Sequence, residues 1–102
     1  MITTILIAKA LSLNGIDIST PVSVASFTCL KNAGNTFALI RAYRSIGTLD
    51  LNANSNLANA RSAGLSTDIY MYPCRGKNAT VQVNELLSGI QSSLYSTIWI
   101  DI

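Results

Sequence analysis

Residues 15–21 read Gly15-Ile16-Asp17-Ile18-Ser19-Thr20-Pro21, and the fold is decided here. Strict alternation over Gly15 to Ser19 predicts a short strand with both isoleucines on one face and Asp17 on the other. Thr20 then reads as an N-cap and Pro21 as the first helical position. Val22, Ala25, Cys29 and Ala33 follow at i, i+3, i+7 and i+11, a single helical stripe, and Gly34 stops it. A strand passing directly into a helix is the start of an α/β unit.

The pattern repeats downstream. Thr36 to Tyr43 predicts a second strand. Asn52 caps a second helix carrying Leu57, Ala60 and a terminal Gly64, and Thr67 to Tyr72 predicts a third strand ended by Pro73. Val83, Leu86, Leu87 and Ile90, at i, i+3, i+4 and i+7, define a third amphipathic helix, and Thr97 to Ile102 a fourth strand. The order βαβαβαβ implies parallel strands with right-handed crossovers. A four-stranded doubly wound sheet and half of a (β/α)8 barrel both fit it. No Gly-rich phosphate loop occurs.

Composition narrows the chemistry. The chain has 102 residues, 49% hydrophobic and 12% charged, enough for one small apolar domain. It contains no histidine, which excludes a Ser-His-Asp triad, a Cys-His pair and an HExxH zinc helix. Acid-base work falls to Asp17, Asp50, Asp68, Glu85 and Asp101. No metal or cofactor is expected. The net charge of +2 is scattered, with no basic stripe for nucleic acid, and no run approaches the roughly 20 apolar residues of a membrane span. Cys29 and Cys74 form either a disulfide or two separate thiols. Residues 1–14 read as a shortened, leader-like segment or as a first strand or helix, and Asn78-Ala79-Thr80 is a glycosylation sequon on Asn78. The domain proper is expected over residues 15–102.

Asp17 recurs in kind. Trp99-Ile100-Asp101-Ile102 places Asp101 in the fourth strand as Asp17 stands in the first. A carboxylate on the inner face of a strand is costly unless it is paired or reaches solvent. Two in equivalent places suggest one shared site at the carboxyl ends of the strands. The alternative is that each caps a turn or pairs with an arginine. Asp68 and Glu85 read as solvated residues.

Several segments together resemble the GH25-type lysozymes. They are Gly15-Ile16-Asp17-Ile18-Ser19, Phe37-Ala38-Leu39-Ile40-Arg41-Ala42, Asp50 with its Asn-rich helix, and Asn59-Ala60-Arg61-Ser62-Ala63-Gly64-Leu65. Tyr70-Met71-Tyr72-Pro73-Cys74 resembles the protist and nematode branch, and Trp99-Ile100-Asp101-Ile102 the approach to the Asp-x-Glu motif. The resemblance implies a partial, half TIM-like (β/α) barrel and a muramidase acting on bacterial peptidoglycan in antibacterial defence, secreted or in a lysosomal or phagosomal compartment. It implies Asp17 and Asp101 as catalytic carboxylates and Arg41, Tyr43 and Tyr70 as lining the sugar groove, although those three are also ordinary strand residues; Trp99 joins Tyr43 and Tyr70 as a sugar-binding residue if the chain only binds amino sugars. Glycoside hydrolysis needs two carboxyl groups and no imidazole, which suits this composition. The motif's glutamate would be residue 103, so the 102 residues alone are expected to be inactive. Two other readings stand beside this one: a non-catalytic amino-sugar-binding remnant, and an unrelated α/β module. A half barrel also leaves its first and last strands as open edges, which predicts self-association.

Overall fold

The computed structural model describes residues 14–101, so the leader-like run, apart from Asn14, and Ile102 lie outside the described residues. The elements are β1 (Gly15–Ile18), α1 (Val24–Asn32), β2 (Phe37–Arg44), β3 (Thr48–Leu49), α2 (Ala53–Ser62), β4 (Ser66–Met71), α3 (Ala79–Gly89) and β5 (Ile98–Ile100). The sheet order is β1-β2-β4-β5, parallel throughout, with the two residues of β3 antiparallel on the end of β2. Gly34 and Gly64 take the left-handed φ values of +108° and +91° that turn α1 and α2 into the next strands.

Which face the helices cover separates the two architectures left open by the element order. Phe27 of α1, Leu57 and Ala60 of α2 and Leu86 of α3 share one core cluster with Ala38, Ile40, Ala42, Ile69 and Met71 of the sheet. The strand residues Ala38, Ile40 and Ala42 have one parity, so all three helices lie on the same face. A doubly wound sheet would carry helices on both. The structure is an arc of a β/α barrel, and it is not closed.

The helix faces differ from the expected stripes. In α1 the cap is Ser23, whose hydroxyl accepts from Ser26 N at 3.1 Å, not Thr20. Asn56 and Asn59 hold Thr20 and Val22 in an extended loop, so the helix starts three residues later. Its face turns with it: Phe27 is buried, while Ala25, Cys29 and Ala33 are exposed. In α3 the inward line is Gln82, Leu86 and Ile90, and Val83 and Leu87 are 41% and 52% exposed. Gln82 bonds Cys74 N, Cys74 O and Lys77 O, so the preceding loop fixes the rotation of α3. At the sheet edge Ile98 packs on the core, but Ile100 stays half exposed.

Gly15 lies opposite Phe37 in the β1–β2 register. A Cβ there would come within 2.2 Å of the Phe37 ring. Gly15→Ala is therefore expected to destabilise by about 1–3 kcal/mol through overpacking. Gly15→Ala/Phe37→Leu should recover part of that loss in urea unfolding.

A candidate carboxylate site at the strand ends

The face opposite the helices carries two side-chain rows set by the register. Asp17, Leu39 and Asp68 align across β1, β2 and β4, and Arg41, Tyr70 and Trp99 align one step nearer the carboxyl ends. The Asp101 amide donates to Met71 O at 3.0 Å, which continues the pairing past β5 and sets Asp101 beside Tyr72. Asp17, Arg41, Tyr70, Trp99 and Asp101 thus share one end of one face.

Tyr70 is the centre of this group. It is 5% exposed, with Asp17, Arg41 and Asp101 all near enough to act on its phenol. Burial, and then Asp17, push its phenol far above the ordinary tyrosine range, against a smaller opposing effect from Arg41. The phenol therefore stays protonated beside carboxylates. Asp17 is exposed and Asp101 half-buried, so both carboxylates remain accessible. Beside Asp101 lies an open cleft of about 240 Å³ lined by Tyr72, Pro73, Cys74, Arg75 and Asp101.

Arg41 is engaged in holding the site together. Its Nε donates to Asp50 Oδ2 at 2.8 Å and its Nη2 to Ser19 O at 3.2 Å. Asp50 Oδ1 accepts from Asn52 N at 2.9 Å, and Asn52 stands at the N-cap position without a side-chain capping bond. Asn56 completes the anchoring: its Oδ1 accepts from Val22 N and its Nδ2 donates to Thr20 O, both at 2.9 Å, clamping the loop that follows Asp17.

Tyr43 is not part of the mouth. A register shift between Arg41 and Tyr43 breaks the alternation, so Tyr43 turns to the helix side and is fully buried. Its hydroxyl lies 2.6 Å from Glu85 Oε1 and 2.9 Å from Gly47 O. Lys77 Nζ donates to Glu85 Oε1 at 2.7 Å and to the Tyr43 oxygen at 3.1 Å. Glu85, read as solvated, is thus the acceptor of a packed cluster. Asp68, also read as solvated, accepts from Thr97 N at 2.9 Å and from Trp99 Nε1 at 3.1 Å. A hydrophobicity pattern carries no signal for either, since both partners lie distant in sequence or on another element.

Cys29 and Cys74 are free thiols. Cys29 faces solvent on α1, whereas Cys74 sits beyond β4 with its sulfur 3.5 Å from Arg75 O, so the disulfide is not made. Asn78 is exposed and caps α3, its Oδ1 accepting from Val81 N at 3.0 Å. Among the described residues no group of three or more His, Cys, Asp or Glu is placed to hold a metal, and no helix is long and apolar enough to cross a membrane.

Fold and mouth together define a class: a β/α-barrel arc with carboxylates gathered at the carboxyl ends of its strands. The comparisons agree. A family model described as "Lysozyme-like protein 1" matches residues 8–102. The chain is 41% identical over 96 residues to the probable GH family 25 lysozyme 2 of Dictyostelium discoideum, covering 89% of this chain and 45% of that protein. It is 40% identical over 95 residues to lysozyme-like protein 5 of Caenorhabditis elegans, covering 87% of this chain and 44% of that one. No solved structure matches. This chain belongs to the lysozyme-like family, which sets aside the unrelated α/β module. It spans about half the length of the curated relatives it matches.

The Tyr43 cluster has a pH signature. Lys77, and then Tyr43, hold the Glu85 carboxyl below the usual glutamate range, while Glu85 raises Lys77. A depressed folded-state carboxyl stabilises above its unfolded pKa, and that contribution is lost as pH falls through the folded value. Wild type should therefore exceed Glu85→Gln in urea stability at pH 7, with the gap closing between about pH 5 and pH 3.

Proposed function

We propose that these residues form the front half of a lysozyme-type glycoside hydrolase site that takes an amino-sugar polymer, the peptidoglycan of bacterial cell walls. The observation that carries this reading is that Asp17, Arg41, Tyr70, Trp99 and Asp101 share the carboxyl end of the helix-free face of a β/α arc. Such hydrolysis uses one carboxyl as proton donor to the leaving oxygen and a second carboxylate facing the oxocarbenium-like centre. Asp17, near a phenol that stays protonated, suits the anionic role. Asp101 stands at the opposite wall beside the cleft, where the departing sugar would lie. Trp99, 39% exposed in the same row as Tyr70, offers a ring face to a sugar. Membership of the lysozyme-like family supports the glycan assignment. The setting that goes with it is antibacterial breakdown of cell walls, outside the cell or in a lysosomal or phagosomal compartment.

Asp50, Asp68 and Glu85 are each bonded elsewhere, which leaves no further carboxyl among the described residues to act as a tuned acid. A missing general acid typically costs 10²–10⁴-fold in rate. The 102-residue chain is therefore expected to be retained on insoluble peptidoglycan without clearing a cell-wall suspension above a buffer blank. Asp17→Asn should weaken retention several-fold. Failure of wild type to be retained would overturn the glycan reading, and clearing by pure protein would overturn the inactivity.

Among the described residues β1 and β5 are the outer strands of the sheet. Ile100, on the β5 edge, is 53% exposed, and no proline or lysine protects residues 97–102. Edge pairing between copies of this chain follows from that surface. Light scattering over a concentration series should show mass rising with concentration; a constant monomer would refute it.

A further inference from the structure

Asp68 spends both of its carboxylate oxygens on β5. Oδ1 accepts from Thr97 N at 2.9 Å, and Oδ2 accepts from Trp99 Nε1 at 3.1 Å. Asp68 lies in the inner-face row with Asp17, and Trp99 in the next row with Arg41 and Tyr70. The main-chain bond sets the start of β5 and the indole bond sets the ring, so one carboxylate fixes both the strand and its aromatic side chain. Trp99 is still 39% exposed, whereas its neighbour Tyr70 is 5% exposed. A ring held by its polar edge while its surface stays open is arranged to receive a flat apolar face without losing further side-chain freedom on binding.

We propose that Asp68 is a positioning residue that holds the Trp99 indole as a stacking platform for a sugar ring at the mouth. This rests on the glycan reading above, and it adds a residue whose only contact with the ligand is through Trp99.

The chain contains one tryptophan, so intrinsic fluorescence reports Trp99 alone. Asp68→Asn replaces one acceptor by a donor and can keep the Thr97 bond or the Trp99 bond, not both. Without any glycan, Asp68→Asn should lower Trp99 emission anisotropy and raise acrylamide quenching, at an unfolding midpoint that shows the chain still folded. Asp68→Ala removes both acceptors, and unchanged anisotropy and quenching in that variant, still folded, would overturn the positioning role whatever binds. With triacetylchitotriose as probe in calorimetric titration, Asp68→Asn should weaken binding about three- to tenfold. Trp99→Phe keeps a flat ring but removes the indole N–H with its five-membered ring, and serves as the background for a second Asp68→Asn comparison. In that background Asp68→Asn should cause no further loss, because Asp68 acts through the indole. Equal affinity of wild type and Asp68→Asn, or an equal loss in the Trp99→Phe background, would overturn the proposal and leave the glycan reading intact. No binding by wild type, with peptidoglycan retention also absent, would overturn the glycan reading and the platform with it.

Discussion

The guanidinium of Arg41 ties three elements together at the end of the arc where the carboxylates gather. Through Asp50 it joins β2 to the start of α2, and through Ser19 O it reaches the end of β1. Asp50 is 5% exposed and has both oxygens occupied, one by Arg41 and one by Asn52 N. Removing one partner of a buried pair strands the other charge, at a typical cost of about 3–5 kcal/mol. The end of β1, where Asp17 lies, is thus tied to a pair formed between β2 and the start of α2, beyond helix α1. The register shift just after Arg41 completes the arrangement. Plain alternation would put Arg41 and Tyr43 on the same face, but the shift leaves Arg41 at the mouth and sends Tyr43 into the core.

The elements were largely legible in the sequence and the helix faces were not. Period-two runs bounded by glycine and proline located the four parallel strands to within a residue or two at most ends. Which architecture they build was left open by periodicity, because helices on one face or two have the same order. The helix stripes misled because polar residues occupy inward positions. Gln82 is 3% exposed on α3 and Asn56 2% exposed on α2, and an apolar count assigns such residues to the surface. Tyr70 and Trp99 align in one row at the carboxyl end of the helix-free face. The resemblance groups Tyr43 with them, but it turns into the core, and the shift that turns it leaves no mark in the sequence.

Side-chain amides explain much of what was missed. With only 12% of residues charged, the chain has few ion pairs to spend on loops. Amides take that work: Asn54 spans Gly89 O and Gln91 N, Asn56 spans Thr20 O and Val22 N, Asn59 bonds Val22 O, and Gln82 holds Cys74 and Lys77. An amide carries both donor and acceptor, so it can pair with a peptide group much as a strand would. Most of these partners lie more than 30 residues away. A capping motif reads only its near neighbours, which is why Asn52 looked like the decisive asparagine and Asn56 was passed over.

The two faces of the sheet show how a polar site is tolerated in so small an apolar domain. The helix side is a conventional core of alanine, isoleucine, leucine and phenylalanine. The other side carries Asp17, Arg41, Asp68, Tyr70 and Trp99, groups that are expensive to bury singly. Three of them are matched in advance: Asp68 with Trp99, and Arg41 with Asp50. No buried side-chain nitrogen or oxygen among the described residues lacks a partner. The arrangement also leaves something over. Tyr70 lies near a carboxylate that remains exposed, Asp68 holds an indole whose surface remains open, and Asp101 keeps an accessible position beside the cleft. Pairing that lowers the cost of burial also keeps these side chains in fixed orientations, and fixed orientation is what a carboxylate site needs before a substrate arrives.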